Sequence, residues 1–157
     1  MRRAAVLFVT LAFIAGMAYA AERAPVAASA KDKCPVCGMF VKKYPDWIGQ
    51  VIFKDGSYVV FDGAKDLFKY YLSLKKYNPS RTQADVDAVY VTDYYRLEPI
   101  DARTAYFVVG SDVYGPMGRE LIPFAKADDA REFMKDHRGK VILRFSDVTP
   151  EVLKGLD

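Results

Sequence analysis

One order of periodic segments occurs twice along this chain: two β-patterned stretches, an amphipathic stripe, then a further β-rich stretch. From Trp47 to Phe53, Trp47, Gly49, Val51 and Phe53 alternate with their neighbours as in a half-buried strand. Asp55-Gly56 supplies a turn, and Tyr58–Phe61 returns as a second strand. Ala64, Leu67, Phe68, Tyr71 and Leu72 then share one helical face, leaving Lys65, Asp66 and Lys69 toward water. Asp62 suits the N-cap of this helix and Asn78-Pro79 its stop. After the polar loop Ser80–Asp87, Ala88–Tyr94 has the Val and Tyr content of a strand. The second round begins with a strand at Ala105–Val109. Asp112–Glu120 is broken by Gly and Pro and can finish as another strand. Ala127, Ala130, Phe133 and Met134 form the inner stripe of a helix that Gly139 ends. Lys140–Phe145 closes the round, and Thr149-Pro150 opens a short terminal helix with Pro at its first position. This order implies an α+β architecture of two small, similar ββαβ units, with mixed sheets and one helix each. The boundary falls near Leu97–Arg103, giving units over 34–97 and 98–157.

The N-terminus reads as an export signal. Arg2 and Arg3 precede an uncharged run of 18 residues, Ala4–Ala21, that contains Ala18-Tyr19-Ala20. A basic start, an apolar middle and an A-x-A site are the layout of a cleaved secretory segment over 1–20. A run of this length also suits a retained membrane anchor, the competing reading. Cleavage leaves 137 residues from Ala21, of which 21–33, rich in Ala and charge, read as a flexible leader.

Charge and composition then exclude several functions. The chain carries 23 Lys+Arg against 20 Asp+Glu, and two of those arginines leave with the signal. A remaining excess of one positive charge cannot neutralise the many phosphates that nucleic-acid binding requires. Lys42-Lys43 and Lys75-Lys76 are isolated pairs on solvated surface. A single histidine, His137, leaves little for a Ser-His-Asp or Cys-His hydrolase. No nucleophile elbow, dinucleotide fingerprint or P-loop motif occurs. The composition, 52% hydrophobic with 14% aromatic residues, is enough to bury an ordered core.

The chemistry is concentrated in Cys34-Pro35-Val36-Cys37-Gly38-Met39. A C-x-x-C turn directs two sulfurs toward one point, and Gly38 permits the bend that brings the Met39 thioether beside them. Thiolate and thioether are soft donors that select Cu(I), whereas Mg²⁺ and Ca²⁺ require oxygen. Haem attachment needs His where Gly38 stands. A four-ligand zinc site lacks donors apart from His137. No strand precedes the motif as in a thioredoxin-type dithiol. In an oxidising compartment a small disulfide explains the spacing as well as a metal does. Met117, in the turn Gly115-Pro116-Met117-Gly118, suits an exposed thioether ligand or a displaced core residue equally. Met134 continues the helix stripe and reads as core. His137 fits the last helical turn as a cap, and Trp47 reads as a core anchor before a shield over metal.

These residues together resemble the NosL family, accessory proteins of nitrous oxide reductase. The resemblance rests on Cys34–Met39 with Phe40-Val41 and Tyr44-Pro45, on Val89–Tyr94, on Ile100-Asp101-Ala102, and on Tyr106–Phe124 with its Gly115-Pro116-Met117-Gly118. It covers nearly all of Cys34–Phe145. It implies a periplasmic Cu(I)-binding metallochaperone, not an enzyme, that receives copper from a donor and passes it to a client such as nitrous oxide reductase. It also implies a two-unit ββαβ fold similar to part of organomercurial lyase. Carried over by motif, the ligands are Cys37, Met39 and Met117, with Cys34 an additional ligand or redox partner. Two departures stand out: the lipidated Cys typical of the family is missing, and Arg119 stands where some members carry His. The rival reading from the residues is a periplasmic thiol–disulfide oxidoreductase using Cys34 and Cys37. Such an enzyme, or a plain disulfide staple, has no use for Met39 and Met117.

Overall fold

The computed structural model describes residues 23–157; the expected export segment lies outside the described residues. Strands β1 (Gly49–Phe53) and β2 (Tyr58–Phe61) form a hairpin, followed by helices α1 (Ala64–Leu72) and α2 (Leu74–Tyr77). Strands β3 (Val86–Thr92) and β4 (Pro99–Asp101) complete a four-stranded sheet of order β2-β1-β3-β4. The second half builds β5 (Tyr106–Gly115), β6 (Gly118–Phe124), α3 (Ala127–Asp136), β7 (Val141–Arg144) and α4 (Pro150–Lys154). Its sheet has the order β6-β5-β7. In both halves the first strand is central, the hairpin partner lies on one side and the post-helical strand on the other.

The two ββαβ rounds are therefore present, with differences of detail. Every strand pair is antiparallel, so neither sheet is mixed. Each half also carries a second short helix, α2 and α4. Strand β1 is buried along its whole length, with α1 packed against it and the Gln50 side chain bonded to the Val26 backbone, so its polar–apolar alternation does not sort residues by exposure. Trp47 precedes it in a 3-10 turn. The stretch broken by Gly and Pro becomes the outer end of the long β5–β6 hairpin. Gly115 pairs with Gly118, and Pro116-Met117 form its two-residue tip. Gly118 holds a φ of +86°, which favours glycine there.

The halves share one core. Val51, Phe61, Leu67 and Phe68 of the first pack with Phe107, Leu121, Leu153 and Leu156 of the second. A smaller cluster, Val108, Ile122, Phe124, Ala130 and Phe133, lies between the second sheet and α3. Neighbours along β5 and β6 point alternately to the two clusters, so this sheet is covered on both faces. Residues 23–33, which composition marks as a leader, are tied to the first sheet. The Gln50 side chain exchanges two hydrogen bonds with the Val26 backbone (2.8 and 2.9 Å), and Arg23 pairs with Asp87 at 3.5 Å.

Candidate metal centre

The cysteine motif forms a closed loop. Lys33 and Phe40 make an antiparallel bridge, and inside it the Cys34 N–H donates to the Met39 carbonyl at 2.9 Å. The Gly38 N–H donates to the Cys34 carbonyl at 2.8 Å. Gly38 adopts a φ of +80°, a left-handed conformation that side chains with a Cβ disfavour. The loop buries Cys34 to 1% exposure and leaves Cys37 and Met39 half-buried.

Opposite the loop stands the start of α1. Asp62 leaves β2 pointing at Cys37, whose Sγ donates to Oδ1 at 3.2 Å and Oδ2 at 3.4 Å. One helical turn on, Asp66 accepts from the Cys34 Sγ at 3.3 Å. One donor atom from each of the four residues lies within 4.8 Å of the others. Burial, aided by the two carboxylates, pushes the Cys37 thiol up to about 11. Burial raises Cys34 further still in the same direction. Both stand as free thiols. A redox-active dithiol needs a depressed thiol pKa, the reverse of this environment.

Two sequence expectations are overturned here. Asp62 is not the N-cap of α1: that position is Gly63, and no side chain of its own caps the helix. Asp66 and Lys65 do not face water but are each 3% exposed. The orphan N–H of Lys65 instead donates to the carboxyl of Glu120, on β6, which also accepts from the Leu121 N–H at 2.9 Å. Fully buried, the Glu120 carboxyl is raised to about 8 by desolvation. It lies so close to Gly63 that a Cβ there would come within 2.3 Å of its Oε2. The helix amide that is usually capped locally is thus capped from the other half of the molecule.

Lys65 reaches the same region from the opposite direction. Its ammonium donates to the Met117 carbonyl at 2.8 Å and the Leu156 carbonyl at 3.3 Å. Met117 itself is 40% exposed at its hairpin tip. It borders an open surface cleft whose lining includes Lys65, Asp66 and Arg119. Asp66 therefore touches Cys34 and also lines the cleft beside Met117. The other candidates lie apart. His137 follows α3, stacks on Phe133 at 4.3 Å and meets Asp112 at 3.1 Å. Trp47 and Met134 pack on the smaller core cluster, Trp47 with its ring 6.1 Å from that of Tyr94.

The residues that sequence reasoning passed over are Asp62, Asp66 and Glu120. The Asp62/Asp66 pair carries a faint signal, two carboxylates four apart on either side of a Gly-Ala-Lys segment. Such spacing normally marks a solvated helical face, and only the loop folded over it removes the water. Glu120 carries no signal, because the helix amide it caps, that of Lys65, lies 55 residues away.

Known proteins share this arrangement of chain. Residues 25–153 match the NosL family. The copper-binding lipoprotein NosL of Stutzerimonas stutzeri is 33% identical over 138 residues, covering 83% of this chain and 68% of that protein. The crystal structure of the copper chaperone NosL from Shewanella denitrificans superimposes with a TM-score of 0.68 at 30% identity, covering 83% of this chain and 98% of that one. With the family match running through the thiol loop, the start of α1 and the Met117 hairpin alike, this chain belongs to the NosL family.

Proposed function

We propose that this protein is an exported copper chaperone that carries Cu(I) and transfers it to a cuproenzyme, with nitrous oxide reductase the first client to test. The observation that carries the reading is the convergence of two thiols in one buried-to-half-buried loop beside two carboxylates, with Met117 on the lining of a cleft that one of those carboxylates, Asp66, also lines. Cu(I) is a soft ion that favours sulfur donors. Cys37 supplies a thiolate on the accessible side, and Cys34 a second from beneath. Met39 and Met117 supply neutral thioethers, which need no deprotonation and hold metal when thiols are protonated. Asp62 and Asp66, hydrogen-bonded to the sulfurs, orient both thiols and accept their protons as metal enters. The half-exposed Cys37 and Met117 leave room for an incoming ligand from a client, so that copper passes by exchange of sulfur ligands and is never free. The copper-binding names of the Stutzerimonas and Shewanella relatives support this reading. The raised pKa of both thiols disfavours the oxidoreductase alternative.

An anaerobic Cu(I) competition titration of the reduced protein tests it. One tight equivalent, weakened by Cys37→Ser and by Met39→Leu, is expected. Absence of competitive binding in the reduced protein overturns the reading.

A further inference from the structure

Lys42-Lys43, an isolated basic pair in the sequence, is not isolated in the fold. The Lys33–Phe40 bridge brings Lys33 to the same ring, so that the Lys33 and Lys43 ammoniums lie 4.7 and 5.8 Å from the Phe40 centroid. Lys42 and Lys43 line one shallow hollow with Phe40 and Ala30. All three lysines are exposed, and among the described residues none of them pairs with a carboxylate. The adjacent acidic residue, Asp32, accepts from the Ser29 N–H at 2.7 Å instead. Phe40 is itself 40% exposed, although the next residue, Val41, is fully buried and anchors the segment. The whole chain has a net charge of only +3, so this concentration of unpaired cations is local and not the mark of a basic protein. The ring face offsets only part of the repulsion among them.

We infer that this face docks the acidic surface of a partner protein, the one that takes copper from the thiol loop. An apolar side chain of the partner sits against Phe40, and its carboxylates face Lys33, Lys42 and Lys43. Complementary charge steers encounter and fixes register, and an exposed aromatic at its centre supplies contact area. The position suits transfer. Phe40 stands three residues beyond Cys37, a stretch of chain that spans at most about 11 Å. A protein docked on the ring therefore brings a ligand within reach of the half-buried Cys37. The bridge, with the Cys34 N–H donating to the Met39 carbonyl at 2.9 Å, holds the ring in place relative to the loop. An anionic membrane offers the same charge but no ligand to receive copper. None of the docking residues donates to metal, so affinity for acidic protein rests on the patch alone. That the partner is the copper acceptor rests on the reading above.

The test begins without copper. Reduced, metal-free, isotope-labelled protein is titrated with a short blocked peptide of Asp and Glu around one Leu. Saturable amide shifts confined to residues 30–43 are expected, and they should vanish near 1 M salt, where charges are screened beyond about 3 Å. Lys42→Glu combined with Lys43→Glu should weaken the peptide about tenfold or more. Phe40→Ala should weaken it about fivefold, as truncating an aromatic anchor does. Lys75→Glu combined with Lys76→Glu makes the same change of net charge elsewhere and should alter nothing. Cu(I) affinity should stay constant in all these variants. In a second arm, stopped-flow transfer of Cu(I) to apo nitrous oxide reductase should slow about tenfold in the Lys42/Lys43 variant. Shifts spread equally over Lys75-Lys76, equal losses from both charge reversals, or no binding would overturn the docking surface. Tighter binding to phosphatidylglycerol vesicles than to the peptide would overturn it in favour of a membrane. Unchanged transfer in the Lys42/Lys43 variant would overturn the assignment to the copper acceptor. Absence of transfer from the unaltered protein would strike the choice of client made above, and the peptide titration would still decide the patch.

Discussion

The starts of α1 and α3 occupy equivalent places in the two ββαβ rounds, yet they do opposite things. Phe61-Asp62-Gly63-Ala64-Lys65-Asp66 leads into one helix and Phe124-Ala125-Lys126-Ala127-Asp128-Asp129 into the other, with Gly63 and Lys126 at the two N-caps. At α3 the acidic residues behave as a first helical turn favours. The Asp128 side chain is 86% exposed and pairs with Arg131, and Asp129 meets Arg96 at 2.7 Å. At α1 the residue equivalent to Asp129 is Asp66, whose partner is a buried thiol. Asp62 has Ala125 as its counterpart and also faces a thiol. The difference comes from what lies over each helix start. The cysteine loop and the β5–β6 hairpin close over α1, while α3 opens to solvent. One supersecondary unit thus serves as scaffold in one copy and as a candidate metal centre in the other.

The sharpest way to break this contrast is to remove a thiol. Cys37→Ser should lower Cu(I) affinity by roughly a hundredfold or more in competition titration, at the upper end of losses seen at metal sites. Next is the cap from the other half. Glu120→Ala strands the Lys65 and Leu121 N–H groups and should cost about 1–3 kcal/mol of stability in denaturant melts. Glu120→Gln, which keeps an accepting oxygen, should cost much less. Glu120 also predicts a pH slope. Unfolded, its carboxyl loses its proton near the ordinary 4.5; folded, near 8. Between these values the folded state holds the extra proton. Its contribution to stability is therefore full below about 4.5 and is lost as pH rises through about 8. Melts across that window should show the decline, and Glu120→Gln should flatten it. Met117→Ala should weaken Cu(I) about tenfold, worth about 1.4 kcal/mol, without unfolding the protein. The smallest effect belongs to the second copy. Asp129→Ala should leave the Cu(I) titration unchanged and lower the melting temperature only slightly, as loss of a half-exposed ion pair does.

Much of this was legible before the fold was known. Alternation and helical stripes located β2, α1 and α3, and Thr149-Pro150 marked α4. There the Thr149 hydroxyl accepts from the Val152 N–H at 3.4 Å, and Pro occupies the first position. Those signals are local, set by backbone conformation and by which face is apolar. Cys34-Pro35-Val36-Cys37-Gly38-Met39 marked the chemistry-bearing loop, though its spacing alone suited a disulfide as well as a soft metal; the loop turns on one left-handed glycine. The exposure of Asp62, Lys65 and Asp66 was not legible. A polar residue on a helix start is solvated unless another segment covers it, and the covering segments lie more than 20 residues before and 50 after.

The sequence by itself determined the α+β order, the repeated ββαβ pattern and the sulfur pair, since each depends on neighbours a few residues apart. Only the tertiary structure decided which carboxylates face those sulfurs and that Glu120 caps α1 from the second sheet. It alone set Met117 on the cleft that Asp66 lines. These are contacts between segments distant in the chain, and burial against a shared core, not local propensity, sets them.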